Sequence, residues 1–266
     1  MGSLAEPAPL AGGGMQLVRT WNAANPWAHM VVVHGLGEHS GRYERTGALF
    51  AEAGIAVRSF DLEGFGASTG ARADIVSWAR YLDQVEEHLI AVPEPRVLLG
   101  HSLGGLIAAE YAVSERLLPQ ALVLSAPGLG GGKAWQRALA PMVGKLLPTL
   151  RLPTLVKGEQ LSRDPAVGEA YFADSLVDTK ATARFGAEVF AAQDRTLAAL
   201  ARLQTPTFVT HGGSDTLVPP TASLPLAELA SVERKLYPTL RHELFNEPEG
   251  PEVIADVVAW LRRTLQ

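Results

Sequence analysis

Gly100-His101-Ser102-Leu103-Gly104 follows the apolar run Val97-Leu98-Leu99 and leads directly into Gly105-Leu106-Ile107-Ala108-Ala109-Glu110-Tyr111. The pattern predicts a buried strand, a tight turn and a helix, with a serine at the turn. Glycines on both sides let the backbone adopt strained angles and let strand and helix approach closely. The serine hydroxyl then stands exposed at the end of a sheet. In a chain with 26 glycines such a pentapeptide also arises by chance, so the flanking strand and helix carry the argument.

A serine hydroxyl is a weak nucleophile until a base takes its proton, and the base needs a third group to fix its tautomer and stabilise its charge. On a strand, turn and helix of this kind, the acid and then the histidine follow the serine in chain order, each just past a later strand. Residues 205–211 read as a strand entering Gly212-Gly213-Ser214-Asp215, and residues 232–238 as a strand leading to Leu240-Arg241-His242. The strand at 121–126 runs into Pro127-Gly128-Leu129, which offers no carboxylate. Ser102, Asp215 and His242 are therefore the candidate nucleophile, orienting acid and base. His29, His88 and His211 fall within predicted elements and read as structural. A histidine base predicts activity that rises through neutral pH. The developing oxyanion needs two backbone N–H donors. Leu103, directly after the nucleophile, supplies one, and Leu36, in the loop His34-Gly35-Leu36-Gly37 after the strand at 29–34, supplies the other.

Strands are predicted near 29–34, 55–61, 96–100, 121–126, 205–211 and 232–238, alternating with helical segments near 42–53, 77–91, 103–115, 219–230 and 250–264. That alternation predicts an α/β fold with a mainly parallel central sheet and helices on both faces. Residues 15–127 and 201–266 form the expected core, and residues 128–200 interrupt the rhythm as an insertion. Leu139, Met142, Val143, Leu146, Leu147, Leu150, Leu152 and Leu155, broken by prolines, make that insertion too apolar to face water and too interrupted for one long helix. It reads as a cap over the site, hinged at Gly128, Gly130, Gly131 and Gly132. Residues 1–14, rich in Ala, Pro and Gly, read as a flexible tail with little to bury. Asp61 closes its strand before Gly64 and Gly66 and reads as structural, as does Ser68.

Several segments together resemble a known family: His34-Gly-Leu-Gly-Glu-His-Ser-Gly-Arg-Tyr43, Asp61-Leu-Glu-Gly-Phe-Gly-Ala-Ser68, Gly100-His-Ser-Leu-Gly-Gly105, Gly212-Gly-Ser-Asp215 and Leu236-Tyr-Pro-Thr-Leu-Arg-His-Glu-Leu-Phe-Asn-Glu247. The chain is similar to the α/β-hydrolases of the serine aminopeptidase-like branch, within it the monoacylglycerol lipase and lysophospholipase group. The resemblance spans residues 15–265. It implies an α/β-hydrolase fold with a lid insertion and a serine ester hydrolase that uses no cofactor and no metal. It also implies a small lipid or ester substrate whose polar head lies near Glu38 and Arg42. After His242 come Glu243-Leu-Phe, without the further histidine some animal members carry there. An apolar lid suits an acyl chain, whose burial yields about 0.8 kcal/mol per CH₂, and suits transient contact with a membrane.

A net charge of -5, with no basic run, argues against nucleic-acid partners. Zero cysteines exclude disulfides and a thiol nucleophile. The start lacks the basic region of a secretory signal and no apolar run approaches the length of a membrane span, which together predict a cytoplasmic protein. Lysophospholipase, thioesterase and general carboxylesterase activities would share the same machinery. Aminopeptidase activity ranks lower because the sequence shows no carboxylate pair for a free amine, and dehalogenase or epoxide-hydrolase chemistry would put Asp where Ser102 stands. A binding protein that reuses the fold would leave Ser102 inert.

Overall fold

The computed structural model describes residues 2–265. Its main sheet has eight strands: β1 (Leu4–Pro9), β2 (Met15–Trp21), β3 (Ala28–Val33), β4 (Ile55–Phe60), β5 (Arg96–His101), β6 (Ala121–Ser125), β9 (Thr207–Gly212) and β10 (Val232–Tyr237). Two further strands, β7 (Arg151–Pro153) and β8 (Lys180–Thr182), pair separately as a short antiparallel ribbon. The order across the main sheet is β1-β2-β4-β3-β5-β6-β9-β10. From β4 to β10 every pairing is parallel, while β1 and β2 add an antiparallel edge. The central strands are apolar almost throughout because both faces of a parallel sheet are covered. Alternate residues serve opposite layers. Val31, Val33 and Leu98 pack toward α2 (Ala79–Ile90) and α3 (Leu103–Ala112). Met30, Val32, Val97 and Leu99 pack toward α1 (Glu44–Glu52) and α9 (Gly250–Leu265). The short α8 (Leu224–Ala227) links β9 to β10.

The chain leaves β3 for β4 on one side and later adds β5 on the other, so the strand order reverses at β3. Loops that follow β3 and β5 splay apart there, and a crevice opens outside the carboxyl ends of the strands, the usual place for a ligand in such a sheet.

The N-terminal segment departs from the expected flexible tail. Residues 4–9 pair in register with β2, Leu4 opposite Thr20 and Pro9 opposite Met15. Pro7 and Pro9 occur two residues apart, on the same side of an edge strand, where a missing N–H interrupts no inner ladder. Leu10 is buried at the turn that follows. Backbone pairing and one anchoring leucine order a segment whose composition suggests disorder. The strand β2 is a further element that the sequence pattern does not predict.

Between β6 and β9 the two ribbon strands alternate with helices: α4 (Ala134–Leu146), β7, α5 (Gly158–Leu161), α6 (Pro165–Ala173), β8 and α7 (Ala183–Ala199). This stretch divides into two parts. α7 packs along α3 and buries Phe185 and Ala192 in the main core, so the end of the expected insertion belongs to the body of the fold. The part from α4 to β8 stands over the carboxyl ends of the strands. Asp178 N–H donates to Gly37 O, and the N–H of Glu243 donates to Leu161 O. Most of its leucines are exposed; Leu146 and Leu155 keep 69% and 74% of their surface.

Candidate active site

Ser102 occupies the turn between β5 and α3 with φ 53 and ψ -115, a positive-φ conformation that a side chain adopts only when its surroundings impose it. Two glycines make room. A Cβ on Gly104 would stand 2.1 Å from Val33 O, and one on Gly100 would stand 2.2 Å from Gly104 O. The turn is pinned from both sides: Ser102 N–H donates to Ser125 O at 3.0 Å, and Ser102 O accepts from Gly128 N–H at 2.8 Å.

His242 and Asp215 arrive from the loops after β10 and β9. His242 Nδ1 lies 2.7 Å from Asp215 Oδ2, and both residues are buried. Asp215 Oδ1 accepts the N–H groups of Leu217 and Val218 at 2.8 and 2.9 Å. Burial alone would raise the Asp215 carboxyl. Hydrogen bonds from His211 and His242, the electrostatic attraction between His242 and the carboxylate, and the Val218 N–H outweigh it and hold the group far below the ordinary carboxylate range. An ionised Asp215 can only accept, so the neutral tautomer it favours in His242 carries the hydrogen on Nδ1 and the lone pair on Nε2. Ser102 and His242 line the same cavity of about 190 Å³. Among the described residues Ser102 Oγ makes no hydrogen bond, as is common for catalytic pairs before substrate arrives.

The loop after β3 closes the other wall. His34 uses both ring nitrogens, accepting Leu62 N–H at 2.9 Å and meeting Gly35 O at 2.8 Å. Gly35 N–H donates to Glu38 Oε1 at 2.5 Å. Among the described residues the N–H groups of Leu36 and Leu103 have no protein acceptor, which leaves both free for a ligand oxygen.

Beside this loop lies a buried charged cluster. Arg42 meets Glu243 through two hydrogen bonds of 2.9 Å, and its Nη1 reaches Glu38 Oε2 at 3.3 Å. Tyr43 O–H donates to Glu38 Oε1 at 2.8 Å. Burial disfavours charge on Glu38, yet Arg42, His101, His34 and the Gly35 N–H together hold its carboxyl at about 2. Burial raises the Glu243 carboxyl, with Arg42 opposing and the Glu38 charge adding to the rise. The fold thus creates the carboxylate pair that the sequence did not show, because Glu38 and Glu243 are 205 positions apart. Arg42 sits between them, in the place a free amine would need. Neither Glu243 nor Tyr43 stands out from sequence. The one available signal is the place of Glu243 directly after the candidate base His242.

The other histidines and acids of the sequence motifs have internal partners, with one exception. His39 Nδ1 accepts Gly41 N–H, and Nε2 meets Asp174 Oδ2 at 2.8 Å, tying the loop to the end of α6. Asp61 accepts the N–H and O–H of Ser40 and the N–H of Ala67, a structural role as expected. His88 and His211 are buried and hydrogen-bonded, whereas His29 Nδ1 is buried without a partner. Among the described residues no group of three or more His, Asp or Glu side chains gathers as a metal site.

A second cavity of about 370 Å³ shares Leu36 and Thr154 with the first. Its walls are mostly apolar, formed by Trp135, Leu139 and Val143 of α4 and Phe185, Val189 and Phe190 of α7. No helix among the described residues is long and apolar enough to cross a membrane.

The profile of the family described as serine aminopeptidase, S33, matches residues 24–249. A monoacylglycerol lipase of Mycolicibacterium smegmatis is 33% identical over 263 residues, covering 94% of each chain. A phospholipase of Bacillus subtilis is 32% identical over 246 residues, covering 88% of this chain and 95% of its own. The crystal structure of a monoacylglycerol lipase from Paleococcus ferrophilus superposes with a TM-score of 0.86 at 30% identity, over 93% of this chain and 98% of that one. Sequence match and superposed sheet agree, and the chain belongs to the serine aminopeptidase S33 family of α/β-hydrolases.

Proposed function

We propose that this protein is a serine ester hydrolase acting on monoacylglycerols. The observation that carries the reading is the pair of adjoining cavities: a smaller one around Ser102, with Glu38, His101, His242 and Glu243 in its wall, and a larger, mostly apolar one that shares Leu36 and Thr154 with it. A monoacylglycerol has that shape, a short uncharged head on one acyl chain. Ser102 Oγ attacks the ester carbonyl while His242 Nε2 takes its proton, and Asp215 stabilises the imidazolium. The oxyanion falls to the N–H groups of Leu36 and Leu103. His242 then protonates the departing glycerol, and a water deprotonated by His242 cleaves the acyl-enzyme, restoring Ser102 and releasing the fatty acid. The exposed leucines of the α4 to β8 segment suit transient contact with a lipid surface.

The names of the relatives support the same substrate, and one of them is a phospholipase. A lysophospholipid is the second reading. Its phosphate would enter a cavity walled by Glu38 and Glu243, with the guanidinium of Arg42 already engaged by both. An anion is poorly served there, whereas glycerol carries no charge. Hydrolysis of a monoacylglycerol series should be measured beside p-nitrophenyl esters, lysophospholipid and triglyceride, with Ser102→Ala as control. Turnover highest on monoacylglycerols and abolished by the substitution is the expected result. Turnover confined to p-nitrophenyl esters would overturn the substrate assignment, and activity in Ser102→Ala would overturn the mechanism.

A further inference from the structure

We propose that Glu38, Arg42 and Glu243 form a positioning clasp that aims the Leu36 N–H at the oxyanion and ties that donor to the loop carrying the base. This replaces the head-group role that family resemblance implies for Glu38 and Arg42, and it rests on the ester-hydrolase reading above.

A trans peptide points its C=O and N–H in opposite directions. The peptide that carries the Leu36 N–H therefore has its direction set by the Gly35 carbonyl, which His34 holds at 2.8 Å. The preceding peptide is set by Gly35 N–H, which Glu38 Oε1 accepts at 2.5 Å. Glycine at 35 leaves this backbone free to rotate unless both bonds hold it. Rotation would turn a carbonyl toward the developing negative charge. Glu38 itself is fixed by Tyr43 O–H and by Arg42, so both its oxygens are engaged and its side chain is only 6% exposed.

Arg42 carries the linkage onward. Its two bonds to Glu243 reach the residue next to His242, and Glu243 is in turn held by Asn246 at 2.8 Å. Tyr171 of α6 covers the guanidinium, with Cζ 4.7 Å from the ring centre. The planar, two-pronged geometry is one that arginine supplies and lysine does not. A carboxylate that served mainly to bind glycerol would keep its acceptor sites open, whereas Glu38 and Glu243 each already accept three hydrogen bonds from the protein.

The test is a comparison of Glu38→Gln, Arg42→Met and Glu243→Gln on p-nitrophenyl butyrate, which has no glycerol, and on a monoacylglycerol. Loosening an oxyanion donor should cost about tenfold or more in kcat, by a similar factor on both substrates and with KM little changed. Affinity for an alkyl boronic acid, whose tetrahedral adduct places an oxygen in the same hole, should fall in parallel with kcat/KM. Since Glu243 reaches the Gly35 N–H only through Arg42 and Glu38, the losses in Glu38→Gln/Glu243→Gln should be less than additive. Tyr43→Phe, which removes one bond to Glu38 without changing charge, should show the same pattern more weakly and covers the case in which a charge variant fails to fold. A rise in KM confined to the monoacylglycerol, with p-nitrophenyl butyrate turnover and boronate affinity unchanged, would return these residues to head-group binding and overturn the clasp. A wild-type protein that hydrolyses neither substrate and takes no fluorophosphonate on Ser102 would instead overturn the proposed function, and the clasp with it.

Discussion

At the scale of single residues, the proposed mechanism gives Asp215 two separable tasks: to fix the tautomer of His242, which it meets at 2.7 Å, and to stabilise the charge that His242 would acquire. Asp215→Asn separates them from folding, because the amide can still meet Leu217 and Val218 N–H through its oxygen. Its NH₂ then faces His242 Nδ1, which forces the hydrogen onto Nε2, the wrong nitrogen for a base. We expect kcat to fall by about 10⁴ with KM and thermal stability little changed, and steady-state kinetics beside a melting curve would check it; a loss below tenfold would remove Asp215 from the mechanism. The triad candidates were legible in the sequence because each residue ends a strand in a chain whose strands can be counted. Glu243 was not, since its meaning lies in Arg42, which is 201 positions away and faces it only after β3 and β10 are placed in one sheet.

Among the elements, the close seating of α3 beneath β3 is what lifts Ser102 to the surface. A Cβ on Gly104 would strike the Val33 carbonyl, which is backbone and cannot yield, so Gly104→Ala should abolish soluble, folded protein. Gly186 in α7 is the informative contrast, since a Cβ there meets nothing within 4 Å. Gly186→Ala should stabilise by about 0.5–1 kcal/mol through helix propensity, and so raise the Tm by a few degrees in calorimetry. It should also narrow the apolar cavity that Gly186 lines and shift preference toward shorter acyl chains. A Tm that falls would contradict the open space at that position. Apolar runs and turn residues made most of the parallel strands and their helices readable. The N-terminal strand was not, because Pro7 and Pro9 look like loop until an edge strand shows where their missing N–H groups face. The helix α7 was not, because it resumes the core immediately after an insertion and nothing in its composition marks the return.

Over the whole molecule, stability is tied to pH through histidines that fold in the neutral form. His88 Nδ1 accepts Arg58 Nε–H at 2.9 Å, so its other nitrogen must donate to Gln16 Oε1 at 3.1 Å. A second proton would place N–H against N–H. Burial, and then the Arg58 charge, lower the His88 pKa to about 3 from its ordinary 6.5. His101 is lowered to about 4 by burial and then by His242, and His34 is lowered mainly by burial. A histidine depressed in the folded state binds more protons when unfolded. Its contribution is therefore fully present above pH 6.5 and is lost as pH falls toward the folded value. For one such histidine the loss between pH 7 and pH 5 is about 2 kcal/mol. The proposed mechanism also uses a histidine base, so activity alone cannot report this effect. His88 stands on α2 and β4's side of the sheet, stacked on Phe60 and away from the Ser102 cavity, which makes it the residue to change. Urea unfolding of wild type and His88→Gln at pH 7, 6 and 5 should show the variant losing about 2 kcal/mol less across that range, while the pH dependence of its kcat/KM stays that of the wild type. Parallel stability curves would mean that His88 accepts its proton without unfolding, and that the acid sensitivity of the fold is set by other groups.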